Sequence, residues 1–234
     1  MAQQQGIVKG DTLQKISSAG FILGAILIAV SGLMMPHANA PTSDLREMLS
    51  PLGEYQYRTI VASLSGMIGF WMTLIGMTGV ARSITASETK GAVWARLGFY
   101  FTLIGTALWT VSWAMDMNTA NAAANWLSAP IDGKEAAWNV VATLSAFGRG
   151  ILPTTWIIYW LALAFLNVAM LQSGVYSQWL GWAGLTVNIP MIALGVFQVF
   201  TPRSITLTLI FSLLMLLTTL WNLTTGIWVA RRVW

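Results

Sequence analysis

Three neutral amides, Asn188, Gln198 and Asn222, lie inside long apolar runs in the last third of the chain, and Asn167 is a fourth in the run before them. An amide both donates and accepts, so amides drawn together would hold a small polar ligand without moving charge. Taken singly, each would tie its helix to a neighbour, a contact worth roughly 0.6 kcal/mol in a membrane. Trp109 and Trp160 also fall in the middle of apolar runs. There an indole N–H needs a partner, and the rings either pack helices together or wall a pocket for a pigment, quinone or lipid. His37 is the only histidine. It allows a single axial ligand to haem or chlorophyll, and excludes bis-histidine haem, a histidine metal cluster and a Ser-His-Asp triad within the chain.

The remaining chemistry narrows further. Lysine occurs only at 9, 15, 90 and 134, outside the apolar runs, so no retinal Schiff base can form within a membrane. No carboxylate lies inside a run either, which removes the usual acidic proton relay or ion-binding ring. Cysteine is absent, and with it thiolate metal sites, iron–sulfur clusters and a cysteine nucleophile. No catalytic residue and no metal site is expected, and no cofactor is specified beyond the lipid, quinone or pigment that aromatic walls would suit.

The elements that must position these residues follow from composition. The chain is 56% hydrophobic and 9% charged, against about 25% charged in a soluble domain. Apolar runs of about 20 residues, each long enough for a hydrocarbon core of about 30 Å, cover about 16–35, 59–80, 93–114, 151–171, 179–200 and 205–229. The expectation is an all-α, polytopic membrane protein, a six-helix bundle forming one membrane domain over 1–234. The first run is longer than the apolar region of a cleaved signal peptide and reads as an uncleaved helix.

Charge gives the orientation. One set of connections holds Lys9, Lys15, Arg82, Lys90, Arg96, Arg231 and Arg232 with two acids, Asp11 and Glu88, whereas the other holds five basic and six acidic residues. Basic residues collect on the cytoplasmic side, so both termini are expected there, in a bacterial cytoplasmic membrane. The formal charge of +4 is then a topology signal, and with no basic cluster interleaved with aromatics, nucleic acid is not an expected partner. Trp94, Trp179, Trp182, Trp228 and Trp234 fall at cytoplasmic edges; Tyr55, Tyr57, Trp113, Trp126 and Trp138 fall at outer ones, as an aromatic belt requires.

Arg149 and Pro153 interrupt "LSAFGRGILPTTWIIYWL". Counting back about 20 residues from Leu171 sets Arg149 at the outer boundary, an anchor whose long stem snorkels and whose expected ion-pair partner is Asp116. Gly148 and Gly150 permit a bend there, with 135–147 lying along or above the surface. "TSDLREMLS" should form a short interfacial helix stopped before Pro51, and "DMNTANAAANWLSAPIDG" a second external segment, so the outer face is read as short amphipathic pieces. Gly20-x-x-x-Gly24 and Ser65-x-x-x-Gly69-x-x-x-Thr73 signal close helix contacts. No register aligns three helices with three, so a repeat-built transporter is not indicated.

"MLQSGVYSQWLGWAGL" (170–185) resembles the fourth-to-fifth helix connection of uncharacterised bacterial six-helix membrane proteins grouped as a domain of unknown function. The resemblance rests on Trp179-Leu180-Gly181-Trp182 and the six-span layout; it implies the fold and a membrane location, and no activity. Two functions fit: a non-catalytic accessory subunit packing against other membrane subunits, holding lipid, quinone or pigment, or a self-contained carrier or sensor of a small apolar or neutral molecule.

Overall fold

A computed structural model describes residues 11–36, 44–201 and 204–234. It is all-α, with seven α-helices and no strand among the described residues. They are α1 (Thr12–Met34), α2 (Leu45–Glu54), α3 (Gln56–Ala86), α4 (Ala92–Ser128), α5 (Lys134–Ser173), α6 (Gln178–Phe200) and α7 (Ile205–Val233), with a 3₁₀ turn at Ile131–Gly133. All but α2 are long and apolar enough to cross a membrane. The face where α1 starts and α7 ends is here the near face, and the opposite one the far face.

Small residues set the tightest contact. A Cβ on Gly24 would stand 2.8 Å from the Gly69 carbonyl oxygen, so α1 and α3 touch backbone to backbone, as the small-residue spacings predicted. Polar ties reinforce it within the apolar interior. Ser17 Oγ donates to the Gly76 carbonyl, and Gln14 Nε2 to that of Gly79 at 2.9 Å. Asp11 caps α1 by accepting from the Leu13 and Gln14 amides.

Two helices far outrun their predicted spans. At 37 and 40 residues, α4 and α5 are about 55 and 60 Å long, against roughly 30 Å of hydrocarbon. Their excess lies at the far face. Gly195 of α6 sits against Trp156 and Ile157 of α5, so α6, which ends five residues later, stops near the level of Ile151. Beyond that level α5 continues as unbroken helix back to Lys134, and α4 runs on to Ser128. The bend that Gly148 and Gly150 permit is not made, and of the two courses expected for 135–147, along or above the surface, the helix takes the second: the hairpin rises by about 20–25 Å, because its two helices have something to pack on.

That something is α2. Leu49 of α2 is buried with Ala123, Trp126, Trp138 and Val141 of the hairpin, and Gly53 abuts the α4 backbone at Ala123. Trp126 and Trp138, expected in an interfacial belt, instead pack with ring centroids 4.9 Å apart and form the centre of this head. Arg46 bridges Glu135 at 2.8 Å and lies 5.0 Å over the Trp138 ring. Gln56 donates to Asn121 at 2.7 Å, and Arg58 Nε to the Met34 carbonyl at 2.6 Å. Asp44 caps α2, and the helix, expected to stop before Pro51, passes through it to Glu54. Proline has no N–H for the Glu47 carbonyl; the Ser50 hydroxyl donates to that oxygen at 3.3 Å instead.

Candidate functional site

Within the membrane-spanning part, α5 is the central helix. Gly105 of α4 lies against Tyr159, which brings an aromatic cluster together. Trp109 stacks on Phe70 of α3 at 4.5 Å and meets Trp160 edge-on at 5.9 Å; Tyr159 packs edge-on against Phe70 and Trp160. Trp156 stacks on Phe211 of α7 at 3.9 Å. The sequence-selected pair Trp109 and Trp160 is thus united: Trp109 stacks on Phe70 and Trp113, and Trp160 meets Trp109, Tyr159 and Phe211 edge to face. Trp160 donates to Thr218 Oγ1 at 3.3 Å, Trp71 to Thr110 Oγ1 at 2.9 Å and Trp221 to the Leu180 carbonyl at 2.9 Å. The Trp109 indole N–H has no hydrogen-bond partner among the described residues.

One turn nearer the near face the interior becomes polar. Asn167 of α5 donates to the Leu163 carbonyl at 2.8 Å, and its amide is seated against Gly184 of α6. Asn188 follows Gly184 by one turn on the same face of α6, which sets it beside the α5 turn that carries Leu163. Asn222 follows Thr218, the partner of Trp160, by one turn of α7 and so reaches the same level; Thr225 extends that face. All four are buried. Asn167 Oδ1, both amide atoms of Asn188, Asn222 Oδ1 and Thr225 Oγ1 make no hydrogen bond among the described residues. A buried polar atom left without a partner costs about 1–3 kcal/mol, so this seam, the level of α5, α6 and α7 where three amides carry such atoms, is one place where the interior has hydrogen-bonding capacity to offer. It would suit ordered water or a neutral, polar molecule.

Gln198 does not join it. It is half-buried and ten residues along α6 from Asn188, about 15 Å away. His37 lies outside the described residues. Asn167, absent from the predicted trio, takes the place expected of Gln198. Its signal was its spacing from Tyr159 and Leu163, which puts all three on one face of α5 at intervals of four. Among the described residues no group of three His, Asp or Glu side chains is placed to hold a metal ion.

Arg149 is exposed, and its Nε donates to the Ser145 carbonyl at 3.3 Å. Gly148 faces Met115, whose Cβ is 3.7 Å from where a glycine Cβ would stand, so Arg149 and Asp116 are at one level of adjacent helices, where α6 ends. At the near face, Tyr176 in the α5–α6 connection is buried and shares a 2.9 Å hydrogen bond with Ser83 of α3. Burial pushes its phenol up from the ordinary value, the bond to Ser83 pulling the other way. The Trp-Leu-Gly-Trp segment opens α6 with Trp179 and Trp182 exposed and Leu180 buried, while Gly181 allows close approach to the Asn167 carbonyl.

Comparison of this chain with protein-family models, with curated proteins and with solved structures finds no match.

Proposed function

We propose that this protein is a non-catalytic subunit of a larger membrane assembly, seated in a bacterial cytoplasmic membrane with both termini cytoplasmic, and that its far-face head is the docking element. The observation that carries this reading is the head itself: α2 and the projecting α4–α5 hairpin share a small core of their own, Leu49, Ala123, Trp126, Trp138 and Val141. Ordering that much backbone beyond the bilayer costs about 1–2 kcal/mol per residue, and the head holds apolar side chains outward. Ile131 is 92% exposed and Val140 54%. Val140 also lines a shallow groove of about 320 Å³ with Asn139, Thr143 and Leu144. Exposed apolar groups rimmed by polar ones are how a partner surface is marked. Membership of the six-helix family that the Trp179–Trp182 segment resembles belongs to the same proposal.

Purification from native membranes tests it. The wild-type chain should migrate with a larger complex. Ile131→Asp combined with Val140→Glu should release it as a lone bundle with an unchanged melting temperature. A wild-type chain that migrates alone counts against the proposal.

A second reading, a carrier or sensor for a small neutral molecule, is favoured by the unpartnered amides of the seam. Asn188→Leu keeps the branching of the side chain and removes both polar atoms. A gain in stability of about 1–3 kcal/mol would mean that nothing satisfies those atoms in the membrane, whereas a loss would mean that water or a ligand does.

A further inference from the structure

The groove of about 420 Å³ between α3 and α4 opens outward near the near face. Its polar lining is Arg82, Thr78 and Thr85 from α3 and Arg96 from α4, with Phe99 and Tyr100 beside them. Arg82 comes one turn before α3 ends, and Arg96 one turn after α4 begins. The pairing of Phe70 with Trp109 and of Trp71 with Thr110 fixes the antiparallel register, which brings the two arginines to the same level on either side of the groove. Both side chains are exposed, and neither has a hydrogen-bond or ion-pair partner among the described residues. Other cations of the same face behave differently: Lys15 lies 4.4 Å from the Trp234 ring centroid and Arg232 3.9 Å from that of Trp228. The α3–α4 turn adds Lys90 and Glu88, both exposed, so the mouth of the groove carries three positive charges and one negative.

Below the arginines the surface turns apolar. Ala81 and Ala95 floor the groove, and toward mid-membrane Ile75, Leu103 and Trp71 are exposed along the same two helices. Two forked donors at the depth of the headgroups, above an apolar track, match a phosphate diester that carries acyl chains. Near the cytoplasmic surface each such basic residue is worth roughly 1 kcal/mol of attraction to anionic lipid.

We propose that this groove is a binding site for one anionic phospholipid, its phosphate held between Arg82 and Arg96 and an acyl chain lying along the α3–α4 track. The site stands whether or not the head docks a partner.

The full chain in detergent micelles, followed by native mass spectrometry and by its melting temperature, tests this. With phosphatidylglycerol as the probe, one lipid should stay bound and the melting temperature should rise; phosphatidylcholine and inorganic phosphate should give neither effect. Arg82→Gln/Arg96→Gln should weaken phosphatidylglycerol binding at least tenfold, while the charge-matched Arg231→Gln/Arg232→Gln should leave it unchanged. Thr78→Trp, which fills the groove and keeps both arginines, should also weaken it. Equal retention of phosphatidylglycerol by the groove and control variants would overturn the site, since lipid would then coat any basic surface. Stabilisation by inorganic phosphate equal to that by phosphatidylglycerol would also overturn it, reducing it to a simple anion contact.

Discussion

The carboxamide of Asn167 occupies the space in which a side chain on Gly184 would stand. That contact joins α5 to α6 and sets the height of the polar seam. Gly184→Ala should force the amide off the Leu163 carbonyl and destabilise the protein by about 1–3 kcal/mol. Gly184→Ala/Asn167→Ala should recover a large part of that loss, because the smaller side chain at 167 makes room. Thermal unfolding of the four proteins in nanodiscs, treated as a double-mutant cycle, checks this; strictly additive losses would refute it.

The head should respond to its core and not to its surface ion pair. Leu49→Ala should cost about 2–5 kcal/mol of local stability, seen as faster hydrogen exchange in 45–54, 119–128 and 134–142 with the spans unaffected. Glu135→Gln should cost about 1 kcal/mol or less, because its bridge to Arg46 is solvent-exposed.

Arg149 is read as a boundary anchor. Lysine also snorkels, so Arg149→Lys should keep the melting temperature, Arg149→Leu should lower it modestly, and Asp116→Asn should do the same if the two pair across adjacent helices. A loss of several kcal/mol in Arg149→Lys, the mark of a desolvated charge, would overturn the anchor assignment.

Orientation is checked by single cysteines, which are unique in a chain that has none. Asn121→Cys, on the head, should react with an impermeant thiol reagent added outside intact cells, and Glu88→Cys, in the α3–α4 turn, should not. The reverse pattern would invert the assignment of both faces.

The six spans were legible because about 20 apolar residues in a row leave few alternatives to a crossing helix. The place of α2 was legible too, since Thr42, Ser43 and Asp44, any of which could cap, precede Leu45, Met48 and Leu49 at helical spacing. The projecting hairpin was not. "DMNTANAAANWLS" has neither the hydropathy of a span nor an amphipathic stripe strong enough to declare a partner, and its helix is held by α2, an element 70 residues earlier in the chain. Pro51 misled for a related reason: the rule that proline stops a helix omits a neighbouring serine that takes over the freed carbonyl. In the seam, residue type identified the amides, but only the register of α5, α6 and α7 decides which share a level. Asn188 and Asn222 do, Asn167 joins them, and Gln198 falls away.

α1 and α7 are neighbours although nearly the whole described chain separates them. Gly226 of α7 lies against Phe21 and Ile22 of α1, and Phe21 meets Trp221 edge-on at 6.4 Å. A ribosome delivers α1 well before α7, so that flank of α1 is without its partner until α7 has been made. The α1–α7 contact is therefore a late closing step rather than part of a start completed early. Until then α1 relies on α3, through the Gly24–Gly69 contact and the Ser17 and Gln14 hydrogen bonds, to hold its place in the bilayer.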